Sequence, residues 1–171
     1  MTYSKSVRGL VLGLHPTSRG IGWVVFEDQL SPVDWAIMRA NKNDHCLRLV
    51  EQIVDRYSPA AVVLEDFDAE PCGKVDRIQR LCRGIMQLAT NRGMEAQTYS
   101  QAAVRMCFSS LGAVTRYEIA QAVALHVPAL RHRLPRKRTV GRNADARISL
   151  FIAAALAMAH LSFTGDQLRL P

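Results

Sequence analysis

Aromatic side chains are scarce, since Phe, Trp and Tyr together make up 6% of the residues. Stacking on bases is therefore not a dominant theme, and Trp23 and Trp35 read as core or sheet-face residues. The four cysteines, Cys46, Cys72, Cys82 and Cys107, form no C-x-x-C pair. Their spacings match no zinc motif, which points to reduced thiols in or near the core of an intracellular protein. No run of about 18 apolar residues occurs, so no transmembrane helix is expected. The polar start, Met1 to Arg8, leads into an apolar stretch broken by His15, Ser18 and Arg19, which does not read as a signal peptide. These absences together predict a cytoplasmic protein with no membrane partner. Internal repeats and low-complexity tracts are missing too. Acidic residues are few: 15 against 22 Lys and Arg, for a net charge of +7 and a pI near 9.7. Such an excess names polyanions as partners, nucleic acid first.

What is present fits one globular domain spanning 1–171. Hydrophobic residues are 49% and charged residues 22% of the chain. A chain of this length buries roughly 70% of its unfolded surface and needs no covalent staples.

Three apolar runs rich in β-branched residues, Arg8–Leu14, Gly20–Phe26 and Asp34–Met38, are separated by breakers and predict an antiparallel meander. The period then changes. Leu47, Leu49, Val50, Ile53 and Val54 share one face of a helix over Asn43–Tyr57. Ala60–Leu64 reads as a buried strand that ends abruptly at Glu65-Asp66, and a strand after a helix suggests a parallel crossover. A helix over Lys74–Asn91, a strand over Glu95–Tyr99 and helices over Gln101–Ser109 and Thr115–His126 follow. Arg131–Arg142 carries six Arg or Lys in twelve residues, broken by Pro135 and Gly141, and reads as a mobile basic loop. An Ala-rich apolar helix over Asn143–Leu161 closes the chain. The fold class is α/β: a mixed sheet with helices packed on it.

Three metal-capable groups from distant segments fall at ends of elements: His15 after the first strand, Glu65 after AAVVL and Asp145 at the last helix. Strand ends beside a helix start form the usual crevice of an α/β sheet. Carboxylates gathered there suit Mg²⁺, and two such ions can clamp the oxygens of a phosphodiester in hydrolysis. The competing reading is plain: a carboxylate at an element end is more often a cap or a solvated charge, and a histidine after an apolar strand is more often packed than ligating.

LVLGLHPTSRGIGWVVFE resembles the first hairpin of RuvC-type Holliday junction resolvases, members of the ribonuclease-H-like superfamily. AVVLEDF resembles the family's second motif, in which a catalytic Glu ends a strand. The block from Arg77 to Val127 resembles its central helix, strand and helix, and NADARISLFIAAALAMAH resembles its closing motif. The four lie in one collinear order from about Arg8 to His160. The resemblance implies a ribonuclease-H-like sheet and a divalent-metal-dependent endonuclease of branched DNA, using Mg²⁺ or Mn²⁺. It implies that Glu65 and Asp145 are catalytic metal ligands and that His15 is a substitute ligand where the family has its first Asp. It also implies that Arg105 and Arg116 lie near the scissile phosphate, that Phe67 is near an aromatic inserted at the junction, and that the helix over 74–91 builds a homodimer. Arg131, Arg133, Arg136, Lys137, Arg138 and Arg142 join the nucleic-acid contacts through the basic loop.

Two departures bear on the chemistry. An imidazole at position 15 is a neutral nitrogen ligand that favours transition metals over Mg²⁺ and cannot bridge two ions as a carboxylate does. Arg142 stands where a second C-terminal acid is expected, and Thr17 replaces the Gly of the family's turn. Either His15, Glu65 and Asp145 hold one Mn²⁺-like ion and cut slowly, with Asp66 or Asp68 able to swing inward, or the site is inactive and the protein binds nucleic acid or a partner without cutting. A third reading is a structural subunit whose charge is incidental.

Overall fold

The computed structural model describes residues 9–28, 30–68, 76–137 and 146–165. Five strands form one sheet in the order β3-β2-β1-β4-β5. They are β1 (Val11–Thr17), β2 (Gly20–Asp28), β3 (Ser31–Arg39), β4 (Ala61–Glu65) and β5 (Glu95–Tyr99). The first three form the expected antiparallel meander, while β4 is parallel to β1 and β5 is parallel to β4. The helices are α1 (Asn43–Tyr57), α2 (Asp76–Asn91), α3 (Gln101–Phe108), α4 (Arg116–His126) and α5 (Ile148–Thr164).

Alternation along the strands builds two cores. In β1, Leu12 and Leu14 point to α1 and α2, where they join Val50, Ile53, Ile78, Leu81 and Ile85. Val11 points the other way, into a core made with α3, α4 and α5. β4 repeats the pattern, with Val62 and Leu64 on the first side and Ala61 and Val63 on the second. This period of two sets the directions of the site residues: His15 and Glu65 lie in register with Val11 and Val63 and face the α5 layer.

Helix α5 is buried from Ser149 through Leu161, as befits a helix apolar on every side. Small residues let it lie close to the sheet. A Cβ built on Gly13 would stand 2.2 Å from the carbonyl oxygen of Ala153, and one on Gly22 would stand 2.4 Å from the carbonyl carbon of Ser149. These glycines are required by close approach of backbone to backbone. Among the described residues no helix is long and apolar enough to cross a membrane.

Several boundaries differ from expectation, and three of them bear on the site. Strand β1 runs on through His15 and Pro16, because pairing with β2 continues to Thr17↔Gly20 and leaves only Ser18 and Arg19 as the turn. The closing helix starts at Ile148, and Ala146 and Arg147 form a turn before it; the expected start at Asn143 lies outside the described residues. Pro128–Arg133, at the start of the expected mobile basic loop, is a 3₁₀ helix anchored by the buried Leu130.

Candidate functional site

The carboxyl ends of β1 and β4 open toward the α4–α5 layer. Glu65 is the last residue of β4 and is 6% exposed, and His15, 4% exposed, lies beside it on β1. The nearest approach of imidazole Nε2 to a Glu65 carboxylate oxygen is 4.0 Å. Glu65 is held at the strand end by its register with Tyr99, and the ladder continues when Asp66 N–H donates to the Tyr99 carbonyl at 2.9 Å.

The third member is Arg116. Its Nη2 donates to Glu65 Oε1 at 3.1 Å and to Oε2 at 3.4 Å. Arg116 is the first residue of α4, a position where the helix dipole disfavours a cation. A capping box fixes it there: Glu118 N–H donates to Thr115 Oγ1 at 3.1 Å, while Glu118 Oε2 accepts from the N–H groups of Thr115 and Val114 at 2.9 and 2.7 Å. Those two N–H groups, and then nearby Lys137, hold the Glu118 carboxyl below its ordinary range. The well-capped helix start thus delivers a guanidinium to the buried carboxylate.

Among the described residues this arrangement does not complete a divalent-metal site. The described residues offer one carboxylate and one imidazole, and no group of three His, Cys, Asp or Glu among them is placed to hold an ion. Both oxygens of the carboxylate already face a positive charge, which would repel a second cation. Asp145 and Arg142 lie outside the described residues, as do Arg138 and Cys72. Asp68 is turned away and pairs at the surface with Arg83 at 2.8 Å.

The other expected contacts divide. Arg105 is exposed on α3, its Nη2 3.5 Å from Gln101 Oε1, and it does not join Glu65. Arg136 and Lys137 are exposed, and their segment is tied to α4 where Tyr117 Oη donates to the Pro135 carbonyl at 3.2 Å. Arg131 Nε donates to the Ala124 carbonyl at 3.5 Å. Phe67 departs from expectation: it is 6% exposed, packed in the α1–α2 core, and covered by the Arg83 guanidinium 5.6 Å from its ring centre. A ring so enclosed is not presented to a junction.

The sequence reading missed a cleft of about 670 Å³ at the Thr17–Gly20 end of the β1–β2 hairpin, beyond His15 along β1. Arg19, Arg39, Arg133 and Arg147 line it, together with Thr17 and Ser149. Gly22 pairs with His15 across the hairpin and abuts the backbone of Ser149, so the cleft begins where the His15 side of the site ends. Of the four arginines among its described lining residues, Arg133 alone lies in the basic run; the others stand singly, and the folded chain collects them. Ser149 Oγ donates to the Ala146 carbonyl at 2.7 Å and so orders the turn that carries Arg147.

No protein-family model matches the sequence, and neither does any curated protein. Solved structures do match. Thermus thermophilus RuvC in complex with a Holliday junction superposes with a TM-score of 0.67 at 16% identity, covering 91% of this chain and 94% of that one. The chain has the fold of RuvC. The yeast mitochondrial Holliday junction resolvase Ydc2 superposes with a TM-score of 0.60 at 10% identity over 90% of this chain and 78% of that one. The large terminase nuclease of the thermophilic phage G20c gives 0.53 at 11% identity over 92% and 83%. The RuvC-like, ribonuclease-H-like sheet expected from the four motifs is therefore the one observed. At these identities the likeness establishes fold, and the chemistry must be argued from the site.

Proposed function

We propose that this protein is a RuvC-fold nucleic-acid-binding protein that engages branched DNA through its phosphates and does not hydrolyse it at the Glu65 position. The observation that carries this reading is the Arg116 guanidinium on both oxygens of Glu65. A buried carboxylate at the end of β4 is where the resembled family needs a metal ligand, and here its charge is met by a side chain. His15, at the neighbouring position, adds a nitrogen donor and no negative charge.

Binding has separate support. The chain carries +7 overall. Arg105, Arg136 and Lys137 are exposed, and Arg19 and Arg39 are exposed along the cleft. Contacts of this type fix position on phosphates and make affinity fall steeply with salt, without reading bases. Branched DNA comes first among polyanions because the fold is shared with a RuvC captured on a Holliday junction and with a poxvirus resolvase captured on its junction. Action as a homodimer through α2 is part of this proposal. The buried apolar stripe of α2, Ile78, Leu81, Cys82, Ile85 and Ala89, packs within the chain, so such a dimer would use the outer face with Arg80 and Arg83.

The test is a labelled four-way DNA junction incubated with wild type and with Glu65→Gln in Mg²⁺ and then in Mn²⁺, with a gel-shift lane for each. Salt-sensitive binding by both proteins with intact DNA in both metals is expected. Cleavage by wild type that disappears in Glu65→Gln would overturn the non-hydrolytic reading. Failure to bind the junction at moderate salt would overturn the binding reading.

A further inference from the structure

The cleft beyond His15 combines features that point to one class of ligand. Its four guanidiniums come from separate segments: Arg19 from the β1–β2 turn, Arg39 from the end of β3, Arg133 from the 3₁₀ helix and Arg147 from the turn before α5. No carboxylate is among its described lining residues. Among the described residues no ion pair holds Arg19, Arg39 or Arg133, and the buried Nε of Arg133 makes no hydrogen bond. Collecting like charges costs Coulomb energy, which an anion in the cleft relieves.

The lining also discriminates between anions. Among its described lining residues Ile37 is the only large apolar side chain, and none carries an aromatic ring. An acidic peptide would find little there to hold its side chains, and a base would find nothing to stack on. Ser18 and Asn41 add neutral polar groups at the rim. Guanidinium forks bind phosphate oxygens in pairs. A volume of about 670 Å³ exceeds the need of a single phosphate ion.

We infer that this cleft binds the phosphodiester backbone of one nucleic-acid strand, guiding it past the Glu65–Arg116 pair in a sequence-independent manner; the inference rests on the proposed function. It assigns Arg19, Arg39, Arg133 and Arg147 to a strand-holding site separate from the exposed basic residues on α3 and after the 3₁₀ helix. Thr17 and Ile37, which share the α5-facing side of the sheet with His15, form its floor.

The test uses the full chain with both Arg19 and Arg39 replaced, R19Q/R39Q, since both side chains are exposed and their loss leaves the core intact. Fluorescence anisotropy measures binding of a labelled four-way junction, and of a single strand, across a salt series. A control variant, R48Q/R56Q, removes two exposed charges from α1 on the opposite face of the sheet. The expected result is a loss of ~10- to 100-fold in R19Q/R39Q near 0.1 M salt, with a junction salt slope shallower by about 1.8, roughly 0.9 per contact. The control should stay within about twofold, strands of different sequence should bind wild type alike, and polyglutamate should compete poorly. Three results overturn the inference while leaving the proposed function standing: R19Q/R39Q binding like wild type, equal losses in the control, or polyglutamate displacing the strand as well as unlabelled DNA does. Wild type that binds neither DNA overturns the proposed function and the inference together.

Discussion

Arginine does opposite things at the two ends of this site. At the Glu65 end, Arg116 reaches in from the surface to pair with Glu65, a residue that is 6% exposed. In the cleft beyond His15, Arg19, Arg39, Arg133 and Arg147 gather with no carboxylate among the described lining residues. In the function proposed above, the first arrangement takes the place of a cation and the second receives an anion. A count of basic residues would treat the two alike. What separates them is whether the fold supplies the counter-charge.

The comparison breaks most completely where the two regions touch. Gly22 is their shared hinge, beside His15 on one side and Ser149 on the other. Gly22→Val would drive its side chain into the backbone of Ser149 and Leu150 and push α5 off the sheet. We expect a loss of ~3 kcal/mol or more in urea unfolding, or no folded protein.

The next contrast sets the two kinds of arginine against each other. Arg116→Ala leaves Glu65 short of a partner in a buried place and should cost about 1–3 kcal/mol, a range reduced because the guanidinium itself is partly exposed. Arg39→Ala should change stability by less than ~0.5 kcal/mol, because its exposed charge makes no ion pair among the described residues. Equal costs in matched urea melts would show that the cleft arginines are structural after all.

A pH series sharpens the account, since arginines in both regions stay charged throughout the range. His160, 3% exposed with Nδ1 2.8 Å from Tyr99 Oη, has its pKa lowered by burial, with the carboxylate of Glu95 opposing in part. The unfolded chain therefore takes up a proton there before the folded one does. The stability held by neutral His160 is fully present above about pH 6.5 and is lost as pH falls through the lower folded value. His160→Gln should flatten that part of the acid limb while leaving the salt dependence of DNA binding unchanged. The smallest effect is expected for Phe67→Leu, a loss of about 1 kcal/mol from the α1–α2 core. Junction affinity should stay within about twofold, and a larger loss would restore an inserting role to that ring.

Elements with strong periodicity were legible from the sequence. Helix α1 occupies the expected Asn43–Tyr57, because side-chain burial follows a period of 3.6, while strand β5 occupies the expected Glu95–Tyr99 despite its modest β character. Strand β1 ran past its expected end because His15-Pro16 looks like a break, yet cross-strand pairing carries the chain through it. Helix α5 is apolar on all sides, so its Ala-rich pattern marks burial without marking where the first turn begins. His15 and Glu65 do meet, as the family likeness implied. The partner that decides their chemistry was expected at the scissile phosphate, and 51 residues separate Arg116 from Glu65 in the chain. Three of the four cleft arginines carry no local signal, since each stands alone at the end of a different element.

The central claim is that a guanidinium stands in for the metal at Glu65, and Mn²⁺ titration followed by electron paramagnetic resonance tests it most directly. Wild type should leave the free Mn²⁺ signal unchanged up to millimolar metal, and Glu65→Gln should behave the same. Stoichiometric uptake of Mn²⁺ by wild type that is lost in Glu65→Gln would contradict the account and return the site to metal-dependent chemistry.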